Sequence, residues 1–173
     1  NIYFNNSGNR INLSFVFSIA NVLKLNFKKV LNTVNKFRGL DYRQQIIYKS
    51  KKLLIINDSK STSFSSTIPL LESYENIYWI LGGLSKKGDK LKLQNKYFSN
   101  IKAYVYGNDR SFFINSLQNK ITHKSSSTLK QIFQILKNDI IKDKNKKIIL
   151  FSPSAASFDQ FKNFEERGKY FNK

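Results

Sequence analysis

Four short runs of continuous apolar residues, Leu53–Ile56, Ile77–Leu81, Ala103–Tyr106 and Ile148–Phe151, limit what this chain can become. None shows the apolar–polar alternation of a strand with one wet face, and each stops at Asn, Gly or Ser. A strand without a polar face has to be covered on both sides. Segments of helical spacing lie between the runs and supply that cover. The pattern therefore predicts an α/β fold, a mainly parallel sheet with helices on both faces. At 173 residues the chain can hold one domain with its own core and part of a second.

Spacing sets the remaining elements. Apolar positions over 12–25 predict a helix, a second covers Phe27–Val34, and Phe37–Leu40 with its glycine reads as a linker. Half-polar Gln44–Tyr48 precedes the run at 53–56 as a further strand. Helices are expected near Ser65–Ser73, Leu91–Phe98, Arg110–Leu117, Leu129–Ile141 and Phe158–Phe171, with a short strand near Ile121–His123. Gly82-Gly83 and Gly107 fall just after strand ends, where open α/β sheets place their ligands. His123 belongs to no motif and reads as structural.

The formal charge of +19 invites a nucleic-acid or membrane reading. Only five of the 30 cations are Arg, at 10, 38, 43, 110 and 167, and Arg is the residue suited to planar recognition of bases and phosphates. The Lys residues are scattered, with one dense run at 142–147. This composition favours weak, salt-sensitive contact with polyanions over specific nucleic-acid binding. Without cysteine there is neither a disulfide nor a thiolate metal site. No apolar run approaches the roughly 18 residues of a membrane span, and residues 1–6 lack the basic start of a signal peptide, so the expected compartment is the cytoplasm.

Four blocks carry chemistry. Asn57-Asp-Ser-Lys-Ser-Thr-Ser63 follows a buried strand, where Asp58 can accept from a ribose hydroxyl and Lys60 and Thr62 can hold anionic oxygens; a helix-capping cluster is the other reading. Gly82-Gly-Leu-Ser-Lys-Lys-Gly-Asp89 combines a backbone able to approach a ligand with Lys86 as a compact cation, or is a plain turn, with Asp89 as a helix cap. Ser152-Pro-Ser-Ala-Ala-Ser-Phe-Asp-Gln-Phe-Lys-Asn-Phe-Glu-Glu-Arg-Gly168 runs from a strand through a small-residue turn into a helix, a setting for a carboxylate or phosphate as well as for an ordinary connection. Phe37-Arg-Gly-Leu-Asp-Tyr-Arg43 is the fourth. Arg167, with Asn163 one turn away, reads as a solvated helix residue and stays outside the candidate site.

In this order the blocks resemble those of the Mur ligases that add D-glutamate to UDP-N-acetylmuramoyl-L-alanine: F-x-G-L-x-H-R, N-D-S-K-A-T-N, G-G-x-x-K-x-x-D and S-P-A-C-A-S-F-D-Q-F-x-N-F-E-x-R-G. Ser154 and Ala155 stand in the Ala and Cys places of the last, and Tyr42 replaces the His of the first. Asn9-Arg-Ile-Asn12 is similar to the second half of H-N-x-x-N, with Gly8 in the His place.

The resemblance implies a Rossmann-like C-terminal domain over 38–173, preceded at 1–37 by a helical remnant of the central ATP-binding domain. It implies a D-glutamate site of Lys60, Thr62, Lys86, Ser157 and Phe164, and a nucleotide side of Asn9, Asn12, Arg43 and Asp58. The implied reaction is amide ligation: ATP phosphorylates the carboxylate of UDP-N-acetylmuramoyl-L-alanine, and the amine of D-glutamate displaces phosphate from the acyl phosphate. The phosphate-cradling G-x-x-x-x-G-K-[ST] is not in this sequence, and the family carries it, with its Mg²⁺ ligands, in the central domain. Together with a first residue that is not Met, this leads to the expectation of a portion of a longer, monomeric enzyme, inactive by itself. A sister amide ligase, such as a folate polyglutamating enzyme, and a free-standing basic module for polyanions are the alternative readings.

Overall fold

The computed structural model describes residues 2–5, 7–117 and 120–173. Six strands form one sheet in the order β1-β2-β6-β3-β4-β5: β1 (Gln45–Lys49), β2 (Leu53–Asn57), β3 (Ile77–Gly82), β4 (Ile101–Tyr106), β5 (Thr122–Ser125) and β6 (Lys147–Phe151). Every pairing is parallel except that of β1 with β2. The helices are α1 (Ser7–Val22), α2 (Phe27–Lys36), α3 (Phe64–Leu71), α4 (Arg110–Leu117), α5 (Leu129–Lys142) and α6 (Phe164–Phe171).

Both faces of the sheet are covered, as the apolar runs require. Along β3, Ile77, Trp79 and Leu81 join Phe64 of α3 and Phe113 and Leu117 of α4 on one face. Tyr78 and Ile80 join Leu129, Ile132 and Leu136 of α5 and Phe171 of α6 on the other. All six residues of β3 are buried, so it forms the spine of the domain. The period of two along each strand alternates the side chains between these layers.

Three expected helices differ. Residues 91–98 do not form one: Leu93 is buried and Lys92 and Gln94 are exposed, a two-residue period, and only a short 3-10 turn follows at Asn95–Asn100. The last helix starts at Phe164, six residues later than the spacing suggests, because Asn163 caps it by accepting from the Glu166 N–H at 2.7 Å. Residues 158–163 are used elsewhere. The Gln160 side chain accepts from Leu129 N–H and donates to the Ser127 carbonyl, while Asp159 accepts from Asn108 N–H. The first helix spans 7–22, which brings Asn9 onto it. His123 sits on β5, its ring nitrogen 3.3 Å from the Ile121 carbonyl.

Helices α1 and α2 lie outside the sheet layers. Ile11, Phe15, Ile19, Val22 and Phe27 are more than half exposed, an apolar face that the described residues do not cover.

Candidate functional site

Three neighbouring strands, β2, β6 and β3, end side by side, and three of the four motif blocks are the loops that leave those ends, while the block at 37–43 precedes β1. The loops are tied to one another. Leu84 and Ala156 exchange backbone hydrogen bonds at 3.0 Å in both directions, joining the Gly-Gly loop to the loop after β6. Gly83, at φ +128°, makes that approach possible, since a Cβ there would run into the Ala156 carbonyl. Asp89, at the far end of the same loop, accepts from the Phe64 N–H at 2.8 Å and so caps α3 from outside. Lys86, Thr62 and Ser157 are thereby held on loops that are stitched together, Lys86 and Thr62 exposed and Ser157 buried.

The Asn57–Ser63 block and the last block interlock more tightly still. Asn57 donates to the Gly168 carbonyl at 2.8 Å, and the Ser59 hydroxyl donates to the Phe164 carbonyl at 2.8 Å. Arg167 is fully buried rather than solvated, which corrects the sequence reading. Its Nε donates to Ser59 Oγ at 3.0 Å, and its Nη2 donates to the carbonyls of Ser59 and Ala155 at 2.7 and 3.0 Å. One guanidinium thus clamps the loop after β2 to the loop after β6. Tyr42 has a packing role: its ring occupies the space that a Cβ on Gly168 would take. The tyrosine carbonyl also accepts from Lys60 N–H at 2.9 Å.

Beside these loops a cavity of about 620 Å³ opens between α1, α2 and the end of β2. It brings together Asn9, Asn12, Arg43 and Asp58, all four residues expected on the nucleotide side, and Lys60 with them. Thr62, Lys86, Ser157 and Phe164 do not line it. Lys60 connects the two groups, for its Nζ lies 3.9 Å from the centre of the Phe164 ring, a cation–π contact.

Gln44, which the sequence does not single out, organises the cavity wall. Its Oε1 accepts from Asn9 at 2.6 Å, and its backbone N–H donates to Asp58 Oδ1 at 3.0 Å. Both Tyr42 and Gln44 have left-handed backbone, at φ 58° and 51°, so the turn that presents Arg43 is strained. Burial raises Asp58 to about 7, against the lowering pull of hydrogen bonds from Ser152 and Gln44 and of the Arg43 and Arg167 charges. Asp58 is 4% exposed. A carboxyl that titrates near neutrality, an exposed arginine and two asparagines suit a ligand with hydroxyl and anionic groups. Among the described residues no three acidic or imidazole side chains converge on a metal position.

Over 168 residues, 96% of its length, the chain is 36% identical to a UDP-N-acetylmuramoylalanine–D-glutamate ligase of Wolbachia sp. subsp. Brugia malayi. This chain belongs to the Mur ligase family. A ligase of the same name from Rickettsia prowazekii is 37% identical over 164 residues. This Mur ligase chain covers 34% and 37% of those two proteins, about a third of the length of the curated relatives it matches. No family model matches it. Among solved structures, the MurF ligase of Thermotoga maritima in complex with ADP superposes with a TM-score of 0.61 at 16% identity, over 96% of this chain and 38% of that one, which establishes the shared fold.

Proposed function

We propose that this chain is the amino-acid-holding part of an ATP-dependent ligase that joins D-glutamate to UDP-N-acetylmuramoyl-L-alanine in the cytoplasmic synthesis of peptidoglycan precursors. The observation that carries the reading is the identity of 36–37% to ligases of that name along nearly the whole chain. The clamped loops and the cavity that collects four residues of one expected role support it.

Each residue has a task suited to its chemistry. Lys86, Thr62 and Ser157 offer a cation and two hydroxyls to the carboxylates of D-glutamate, and Phe164 walls the site. Lys60, steered by the Phe164 ring, stands between the amino acid and the cavity. Asp58 takes a ribose hydroxyl, Asn9 and Asn12 face the base, and Arg43 faces the phosphates. ATP, when bound, supplies the phosphoryl group that activates the acceptor carboxylate. The residues of this chain bind and orient, which for amide ligation is much of the catalytic task.

Residues 1–37 are proposed to be the end of the nucleotide-binding domain, and 38–173 the amino-acid-binding domain. The uncovered apolar face of α1 supports this division. Turnover then needs the remaining domains, and this chain alone forms no ADP when given ATP, UDP-N-acetylmuramoyl-L-alanine and D-glutamate.

Amide chemical shifts of the ¹⁵N-labelled chain, titrated with D-glutamate and then L-glutamate, test the reading. Shifts at Thr62, Lys86 and Ser157 with the D-isomer alone are expected. Equal responses to both isomers, abolished by salt, would instead favour a basic module that attracts polyanions.

A further inference from the structure

Behind the cavity lies a chain of hydroxyls that the proposed ligand roles do not use. Asp58 Oδ2 is 2.7 Å from Ser152 Oγ, and Ser152 Oγ is 2.7 Å from Thr67 Oγ1. Thr67 Oγ1 also contacts Ser154 Oγ at 2.7 Å and Ser61 Oγ at 2.6 Å. Ser61 Oγ is 2.8 Å from Ser66 Oγ, which in turn lies 2.7 Å from the Ser63 carbonyl at the start of α3. Asp58, Ser61, Thr67, Ser152 and Ser154 are each at most 4% exposed. Water cannot readily complete their hydrogen bonds, so the protons have to come from within.

Counting those protons decides the state of the network. There are six short contacts, and the five hydroxyls bring one proton each. A proton on Asp58 makes six. Asp58 then donates to Ser152, Ser152 to Thr67, Thr67 to Ser61, Ser61 to Ser66 and Ser66 to the Ser63 carbonyl, while Ser154 donates to Thr67. Every contact is filled once, and no oxygen accepts more than two.

When Asp58 ionises, its proton leaves to solvent and one contact must go without. The carboxylate is the strongest acceptor, so Ser152 turns to donate to it, Thr67 turns to Ser152, Ser61 to Thr67 and Ser66 to Ser61. The deficit comes to rest between Ser66 and the Ser63 carbonyl. That is the outermost of the six links, joining the exposed Ser66 to the end of the Ser61–Ser63 turn, where water can take over. All the links from Asp58 to Ser66 reverse, and the first turn of α3, directly after Thr62, loses a side-chain tie.

We propose that Asp58, Ser152, Thr67, Ser61 and Ser66 form a hydroxyl relay that reports the charge of the cavity carboxyl to the first turn of α3, with Thr67 as its positioning residue. The relay links the cavity to the loop of Thr62 without any movement of the backbone. It concerns the chain's own residues and holds whichever ligand the cavity takes. The charged and titratable groups facing Asp58 are Arg43 before β1, Arg167 on α6 and Tyr3 in the turn at Ile2–Asn5; the relay itself meets Asp58 through Ser152, a neutral hydroxyl. The raised Asp58 value agrees with a proton being present below neutrality.

The test follows the Asp58 side-chain carboxyl by ¹³C NMR and the amides of Ser63, Phe64 and Ser66 by ¹⁵N NMR, from about pH 5 to about pH 8.5, on this chain without ligand. The three amides are expected to move with the midpoint of the carboxyl. In Thr67→Val the carboxyl still titrates and the amides stay flat. Asp58→Asn places a permanent N–H donor opposite Ser152 while its carbonyl keeps the Gln44 N–H, so the amides hold their low-pH positions throughout, a readout that remains should Thr67→Val not fold. Amides that ignore the carboxyl midpoint, that still titrate in either variant, or an Asp58 already fully ionised at about pH 5 would overturn the proposal.

Discussion

Replacing Arg167 by Met removes the clamp while keeping most of the side-chain volume. In the native chain the guanidinium satisfies the Ser59 and Ala155 carbonyls, and Ser59 Oγ retains Phe164 as a second partner. The substitution therefore strands two buried carbonyls, at about 1–3 kcal/mol each. Part of this is offset, because the native fold no longer has to desolvate a guanidinium. A net loss of about 3 kcal/mol is expected, a substantial share of the roughly 5–15 kcal/mol by which domains are stable. With a urea slope of about 2 kcal/mol per M, the unfolding midpoint falls by about 1.5 M. Circular dichroism of both proteins in urea, at one pH and one salt concentration, measures it. Arg167→Lys, which keeps the charge and loses the fork, should fall between them. A midpoint shift below about 0.3 M would refute the clamp and return Arg167 to the status of an ordinary helix residue.

Stability should also depend on pH through Asp58. Its pKa is about 7 in the folded chain against 3.8 for a free carboxyl, so the folded state holds the proton more tightly and stability falls as pH rises between those values, by about 4 kcal/mol in all. Urea midpoints measured between about pH 4.5 and 8 should show this slope in the native chain and lose most of it in Asp58→Asn; identical profiles would count against it. Gly83→Ala drives a Cβ into the Ala156 carbonyl at a left-handed position and should cost about 2 kcal/mol or more, with loss of the Leu84–Ala156 amide protection in hydrogen exchange. Asp89→Ala uncaps α3 and should cost about 1 kcal/mol, a drop of about 2–4 °C in melting temperature, while an unchanged melt would mean that solvent caps Phe64 equally well.

What the sequence conveyed depended on how local the cause was. The run Ile77–Leu81 could be read as a doubly covered strand because burial on both faces leaves no polar position in it. The four positions expected on the nucleotide side come from separate blocks and line one cavity, although Asn9 and Asp58 are 49 residues apart in the numbering and are joined through Gln44. Gln44 left no local signal, since its effect comes from a left-handed backbone that no glycine announces. Arg167 was misjudged for the same reason. Its neighbours in sequence place it on a helix surface, whereas its partners Ser59 and Ala155 reach it from other loops. The late start of α6 was nearer to legible: Asn163 with Glu166 three residues on is a capping pattern, and the apolar Phe158 and Phe161 before it masked the boundary.

The place of β6 in the sheet also governs how the chain comes into being. Residues 147–151 lie between β2 and β3, so the two halves of the sheet share no ladder until that strand arrives. Before residues 147–151 are made, the sheet order leaves β2 with β1 as its one native ladder partner and β3 with β4. Each half then shows an open, strongly apolar edge to the cell. The closing step joins segments far apart in sequence, which leaves an interval of exposure that a chaperone would have reason to cover.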